Sequence, residues 1–262
     1  MKRIFVILMA VVLVFACLAF AGCKKAEPAK TFTVGFDADF PPHGFVNEKG
    51  EYVGFDLDLA AEVAKRRGWE LKLQAIDWAA KDMEITSGTI DCIWNGFTIN
   101  GREDQYTWTD AYMDNSQIIV VKANAGIGSF ADLAGKAVTA QADSAALKEL
   151  NSETFADLKA SFKELVECSQ YNAAFMDLEA GAVDAIAMDV TAANYNIAQR
   201  GDGFVILDEV LAGEQYGVGF KLGNTALRDQ VQETLLEMVA DGTFAKISQE
   251  WFDGVDVCVL GK

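Results

Sequence analysis

The chain has 262 residues, with 39 acidic against 22 basic side chains and one histidine, for a formal net charge of −17. Such a surface repels nucleic acid, and no basic stripe interleaved with aromatics offers a site for it, so no nucleic-acid partner is expected. Five cysteines without a CxxC pair, beside that one histidine, lack the ligands of a zinc centre; neither a metal nor another cofactor is expected.

Lys2 and Arg3 precede 18 apolar residues, Ile4 to Ala21, and then Gly22 and Cys23. A charged start, an apolar run and small residues at the end make an export signal. Ala21-Gly22-Cys23 has the form of a lipobox, with Phe20 where leucine is usual. Residues 1–22 are therefore expected to be a lipoprotein signal peptide, with Cys23 lipidated and 23–31 a tether. The alternative is an uncleaved anchor, since this run is only just long enough to span a bilayer. Both place the rest of the chain outside the cytoplasm, and losing two bases takes the net charge from −17 to −19. Of the other cysteines Cys17 lies in the signal, leaving Cys92, Cys168 and Cys258, which allow at most one disulfide.

"FTVGFDADFPP" (32–42) reads as a strand ending in a turn, with His43 in that turn. "GFDLDLAAEVAKRRG" reads as a helix with Phe55, Leu59 and Val63 on one face and Gly68 as its stop. Its acids Asp56 and Asp58 resemble a catalytic pair, but in a first turn they complement the helix dipole. "WELKLQAI" is a strand, "WAAKDMEITSG" a helix and "TIDCIW" a strand, so parallel pairing with crossover helices is expected. Cys92 in that last strand is a core residue, and Trp78 is read as structural.

A second alternating block begins near Ile118. "SGTIDCIWNG" (87–96) lies over "AGAVDAIAMD" (180–189) at an offset of 93, matching Gly88 with Gly181 and Asp91 with Asp184. The echo suggests two lobes built on one βαβ unit, with Gly96 and Asp189 at equivalent strand ends. The chain closes with an amphipathic helix, "LRDQVQETLLEMVADG", with Gly242 as its stop, and "FAKISQEWF" continues it.

Ligands of open α/β sheets bind beyond the carboxyl ends of strands. There the sequence places Asp37 to Phe40, Gly96 to Arg102, Asp143, Ser144 and Asp189. That set suits a zwitterion. Arg102 can grip a carboxylate with two parallel hydrogen bonds, and Asp189 can pair an ammonium with help from Gly96 and Thr98. Ser144 or Asp143 can cap the following helix and leave backbone N–H groups for an anion. The blander readings are a surface ion pair of Arg102 with Glu103 or Asp104, and Asp189 as a simple helix cap.

With these residues in view, the sequence resembles the solute-binding proteins of polar amino-acid ABC importers, the group that includes glutamine- and histidine-binding proteins. The resemblance runs over about residues 32 to 254. It rests on "GFDLDLAAEVAKR", "FTINGREDQYTWTDAY", "LEAGAVDAIAMD" and "GTFAKISQEWF", in order. It departs at Arg67, in the short stretch from Thr98 to Arg102, and at Asp143, where the family often has glycine.

The resemblance implies a two-lobed α/β fold of the periplasmic-binding-protein type, each lobe a mostly parallel sheet flanked by helices. Lobe one would span 32–112 and 217–262, and lobe two 113–216. Two crossovers near Tyr112–Ser116 and Gly213–Gly217 would act as hinges. It further implies that Arg102 holds the ligand carboxylate and that Asp189, Gly96 and Thr98 hold the ammonium. Ser144 would add a carboxylate contact, and Phe40 would pack on the ligand side chain with Asp37 nearby. The implied protein is a membrane-anchored monomer that is not an enzyme and delivers an L-amino acid to an ABC permease. Glutamine, cystine, histidine and basic amino acids all stay open. A cyclohexadienyl dehydratase on the same fold, with Glu84 or Asp37 as general acid, and an amino-acid-sensing receptor module are the alternatives.

Overall fold

A computed structural model describes residues 29–262. The signal segment and Cys23 lie outside the described residues.

The first sheet has the order β5-β1-β6-β13-β7: β1 is Thr31–Phe36, β5 Glu70–Ala75, β6 Cys92–Ile93, β7 Thr107–Trp108 and β13 Gly219–Phe220. The second has the order β10-β9-β11-β8-β12: β8 is Met113–Lys122, β9 Ala137–Gln141, β10 Glu164–Cys168, β11 Ala185–Asp189 and β12 Phe204–Tyr216. In each sheet only one strand is reversed, β13 in the first and β8 in the second. The mostly parallel lobes expected from the alternating pattern are present. The reversed strands have a common cause: each enters its sheet directly from the other lobe, against the direction of strands whose carboxyl ends face the cleft. A small antiparallel sheet, β2 (Asp39–Phe40), β3 (Gly44–Val46) and β4 (Tyr52–Val53), stands at the edge of lobe one. Sequence reading did not separate those short strands from a turn.

The chain passes between the lobes along an antiparallel pair. Met113 faces Tyr216, Asn115 faces Glu214 and Ser116 faces Gly213.

The 93-residue echo has a physical content. Gly88 ends helix α2 (Lys81–Ser87) and Gly181 ends helix α5 (Tyr171–Ala180), both in the left-handed conformation that glycine adopts without strain. Three residues on, Asp91 accepts from the Thr33 backbone N–H at 2.7 Å, and Asp184 accepts from that of Ala137 at 2.9 Å. Each carboxylate thus fixes the register of the neighbouring strand in its own lobe.

Helix α1 (Phe55–Arg67) buries Phe55, Leu59 and Val63 against Phe32 and Val34 of β1. Its acids do more than face the dipole. Asp56 is fully buried, accepting from Gly96 N at 2.5 Å and from the Tyr112 hydroxyl at 2.9 Å, while Asp58 accepts from the Trp251 indole at 2.8 Å. The C-terminal segment is two helices, α7 (Thr225–Ala240) and α8 (Thr243–Trp251), parted at the stop expected from the sequence. Gly242, at φ 80°, breaks the run. Leu227, Val231, Leu235 and Phe244 pack into the core of lobe one. Cys92 and Cys258 are buried and Cys168 half-buried, all three as free thiols.

Candidate functional site

The carboxyl ends of β1, β6, β9 and β11 converge on one cavity of about 300 Å³ between the lobes. It is lined by Asp37, Phe40, Gly96, Thr98, Arg102, Ser144 and Asp189, the seven residues singled out from the sequence, together with Trp78, Asn95, Gln141 and Ala145.

Arg102 is buried, and Ile99 O accepts from its backbone N–H at 2.8 Å within the turn that carries it. Its guanidinium lies 5.3 Å from the Phe97 ring and donates to Thr98 O at 3.3 Å and Asp143 O at 3.1 Å. Among the described residues it forms no ion pair with a carboxylate, neither Glu103 nor Asp104. A buried guanidinium held only by carbonyls is a cation awaiting an anion.

Asp189 occupies the N-cap position of helix α6 (Val190–Arg200), yet its side chain makes no capping bond. It turns towards the crossover strands, where Tyr216 donates to it at 2.6 Å, Gln117 at 2.7 Å and Asn115 at 3.1 Å. Glu214 of β12 joins the same cluster, accepting from Gln117 at 2.7 Å, Asn115 at 2.5 Å and the Thr98 hydroxyl at 2.9 Å. Burial, and then the adjoining Glu214 carboxylate, push Asp189 well above the usual carboxylate range. An ammonium placed here would relieve both effects. Glu214 was missed by sequence reasoning; the available signal was its period-two spacing with the buried Tyr216 in a strand crossing between lobes.

The remaining wall is mixed. Phe40 stacks on His43 with ring centres 5.5 Å apart and lies 6.0 Å from Tyr171 of the other lobe. Trp78, read as structural, does pack edge-on against Phe97 at 5.4 Å, but it also faces the cavity. Asp37 accepts from Gln141 across the cleft at 2.6 Å, and burial raises it to about 6. Ser144 caps the short helix α3 (Ala145–Leu150) by accepting from Leu147 N at 3.1 Å. Glu84, the other candidate acid, sits on α2 and is not among the lining residues. His43 sits in the expected turn, at the cleft edge, and is fully buried there, with Nε2 3.0 Å from the Thr191 hydroxyl of lobe two.

Several of these contacts join one lobe to the other, so the cleft is shut. Besides Asp37–Gln141 and His43–Thr191, Asn172 N donates to Asp39 at 3.0 Å, and Lys148 donates to Gly101 O.

A two-lobed sheet pair around a charged, closed cavity is the architecture of a solute receptor. The chain belongs to the bacterial extracellular solute-binding proteins, family 3, whose model matches residues 32–254. It is 28% identical over 237 residues to the L-cystine-binding protein TcyJ of Escherichia coli (strain K12), covering 89% of this chain and 86% of that one. A substrate-binding protein of an ABC uptake transporter from Streptococcus pneumoniae, solved with bound histidine, superposes with a TM-score of 0.84 at 35% identity, over 87% of this chain and 94% of that one. The ancestral amino acid-binding protein AncCDT-1, a precursor of cyclohexadienyl dehydratase, gives 0.77 at 28% identity, over 85% and 95% of the two chains. Family membership places the chain among extracytoplasmic solute-binding proteins. Among the described residues no helix is long and apolar enough to cross a membrane.

Proposed function

We propose that this chain binds a free L-amino acid in the closed cleft and presents it to an ABC permease, tethered to the membrane through a lipid on Cys23. The observation that carries the reading is the pairing of opposite needs in one cavity: among the described residues, a buried Arg102 has no carboxylate partner and a buried Asp189–Glu214 cluster no cationic one. A zwitterion satisfies both at once, and a ligand with a single charge leaves one unmet. Arg102 takes the α-carboxylate, with Ser144 beside it from lobe two. Asp189 and Glu214 take the α-ammonium with Thr98 and Gly96. Phe40 and Trp78 sandwich the aliphatic part of the side chain.

Asp37 and Gln141 mark where the side chain ends, and they favour one that donates hydrogen bonds: a basic group, an imidazole or an amide. Ligand contacts from both lobes select the shut form, and the paired crossover strands 113–116 and 213–216 serve as the hinge. The relative solved with bound histidine and the relative named for binding L-cystine support an amino-acid ligand without fixing which one.

A second reading is dehydration of a carboxylated ring. It is favoured by Asp37, which faces the cavity and holds its proton up to about 6, as a general acid must. Thermal unfolding of the chain without residues 1–22, against the twenty amino acids, cystine, ornithine and prephenate, separates the two. A ligand at 100 times its Kd adds ~2.7 kcal/mol. A shift with one or a few amino acids is the expected result. A shift with prephenate alone, accompanied by turnover, would replace the binder by the enzyme.

A further inference from the structure

Lys81 opens helix α2 in lobe one, and its side chain is 1% exposed. Its ammonium donates to the carboxylate of Asp143 in lobe two, to Asp143 O at 3.3 Å and to Trp78 O at 3.5 Å. Asp143 is thus held from two sides by lobe one, since Arg102 donates to the same carbonyl at 3.1 Å. Asp143 is also one of only two non-glycine residues among those described with positive φ, at 58°. Aspartate tolerates that region but glycine fits it better, so the carboxylate is retained at a position where the backbone does not ask for it.

We propose that Lys81 and Asp143 set the closing equilibrium of the cleft: Lys81 is a brake that loses its water when the lobes meet, and Asp143 is the partner that releases the brake. The proposal rests on the reading of the chain as a cleft-closing binding protein. In an open cleft the Lys81 ammonium faces solvent. On closure it is sealed beneath the Asp143 loop, and a buried ammonium is tolerated only with a compensating charge. Burial pushes Lys81 below its ordinary value, with Asp143 and Asp82 opposing that and Arg102 adding to it. An ammonium 1% exposed is taken wholly out of water, while its partner Asp143 stays half-exposed; desolvation of this kind exceeds the attraction regained, so the pair as a whole weakens closure relative to an apolar contact. The ligand must then supply the difference, which keeps an empty receptor from locking shut. The same loop carries Ser144, so the pair also positions the second-lobe wall beside Arg102.

Opposite signs for the two partners follow. Asp143→Asn keeps a residue that accepts positive φ but strands the buried ammonium. Lys81→Met fills the same space without charge. The test is amide hydrogen exchange by mass spectrometry on the ligand-free full chain in mild detergent, read in peptides covering 96–102 and 142–147. Asp143→Asn should raise exchange there about tenfold, Lys81→Met should lower it, and the double variant should follow Lys81→Met. Strand β8 peptides should not change. A Lys81→Met variant that exchanges faster, or an Asp143→Asn effect of equal size in the Lys81→Met background, overturns the proposal. Release rates of L-glutamine, L-histidine and L-arginine should follow the same order. If none of the three binds, the exchange data still decide the pair, and only the amino-acid reading falls.

Discussion

Replacing Arg102 by lysine keeps a positive charge at the same place, so it separates charge from geometry. The guanidinium is fixed on the Phe97 ring and two carbonyls, Thr98 O of its own lobe and Asp143 O of the other. That leaves a planar edge to receive a carboxylate through two parallel N–H donors. A lysine ammonium offers one such contact at best, from a shorter and more mobile stem. A hydrogen bond to a charged group contributes about 1.5–3 kcal/mol, so losing one should weaken binding by roughly ten- to a hundredfold. Titration calorimetry should compare the amino acid found in the thermal screen with its α-carboxamide. Arg102→Lys should cost the amino acid at least tenfold, ~1.4 kcal/mol, and the carboxamide much less. Equal losses for the two ligands, or none for either, would remove Arg102 from the carboxylate subsite.

Three further outcomes follow from the cavity. Asp189→Asn mimics the neutral form that burial and Glu214 already favour, so the ligand-free variant should unfold at or above the parent temperature. It should nevertheless lose affinity for the amino acid more than for its deaminated analogue, and a parallel loss for both would refute the ammonium role. Asp37 has its folded value raised from 3.8 to about 6, so its contribution to stability is fully present below pH 4 and is lost as pH rises through 6, up to about 3 kcal/mol. Asp37→Asn should therefore gain on the parent in unfolding temperature between pH 5 and pH 8, and a constant gap would contradict the burial argument. For ligands with a cationic side chain, affinity for the parent should rise over that interval, because the ionised carboxylate is the binding form. Gly96→Ala places a Cβ 2.9 Å from Phe40 at a φ of 56°, so it should weaken binding and lower the unfolding temperature. Unchanged affinity would show that this loop does not shape the cavity.

The sequence by itself determined the local elements and where their ends fall. Alternating strand and helix patterns, glycine stops such as Gly68 and Gly88, and the 93-residue echo are set by neighbours within a few residues, so they survive reading one position at a time. The strand-end rule marked four short stretches, and the family resemblance narrowed them to seven residues that the structure gathers around one cavity. What the tertiary structure decided was everything that depends on partners distant in the chain. Glu214 looks like any acid in an exposed strand until β12 pairs with β8 and sets it beside Asp189. Lys81 looks like a first-turn helix surface residue until lobe two closes over it. Asp56 reads as a dipole partner, yet its burial and its hold on Gly96 and Tyr112 come from packing across 40 and 56 residues. Burial and charge pairing are properties of the folded surroundings. A periodic pattern reports which face a residue takes, and only the closed lobes report what that face meets.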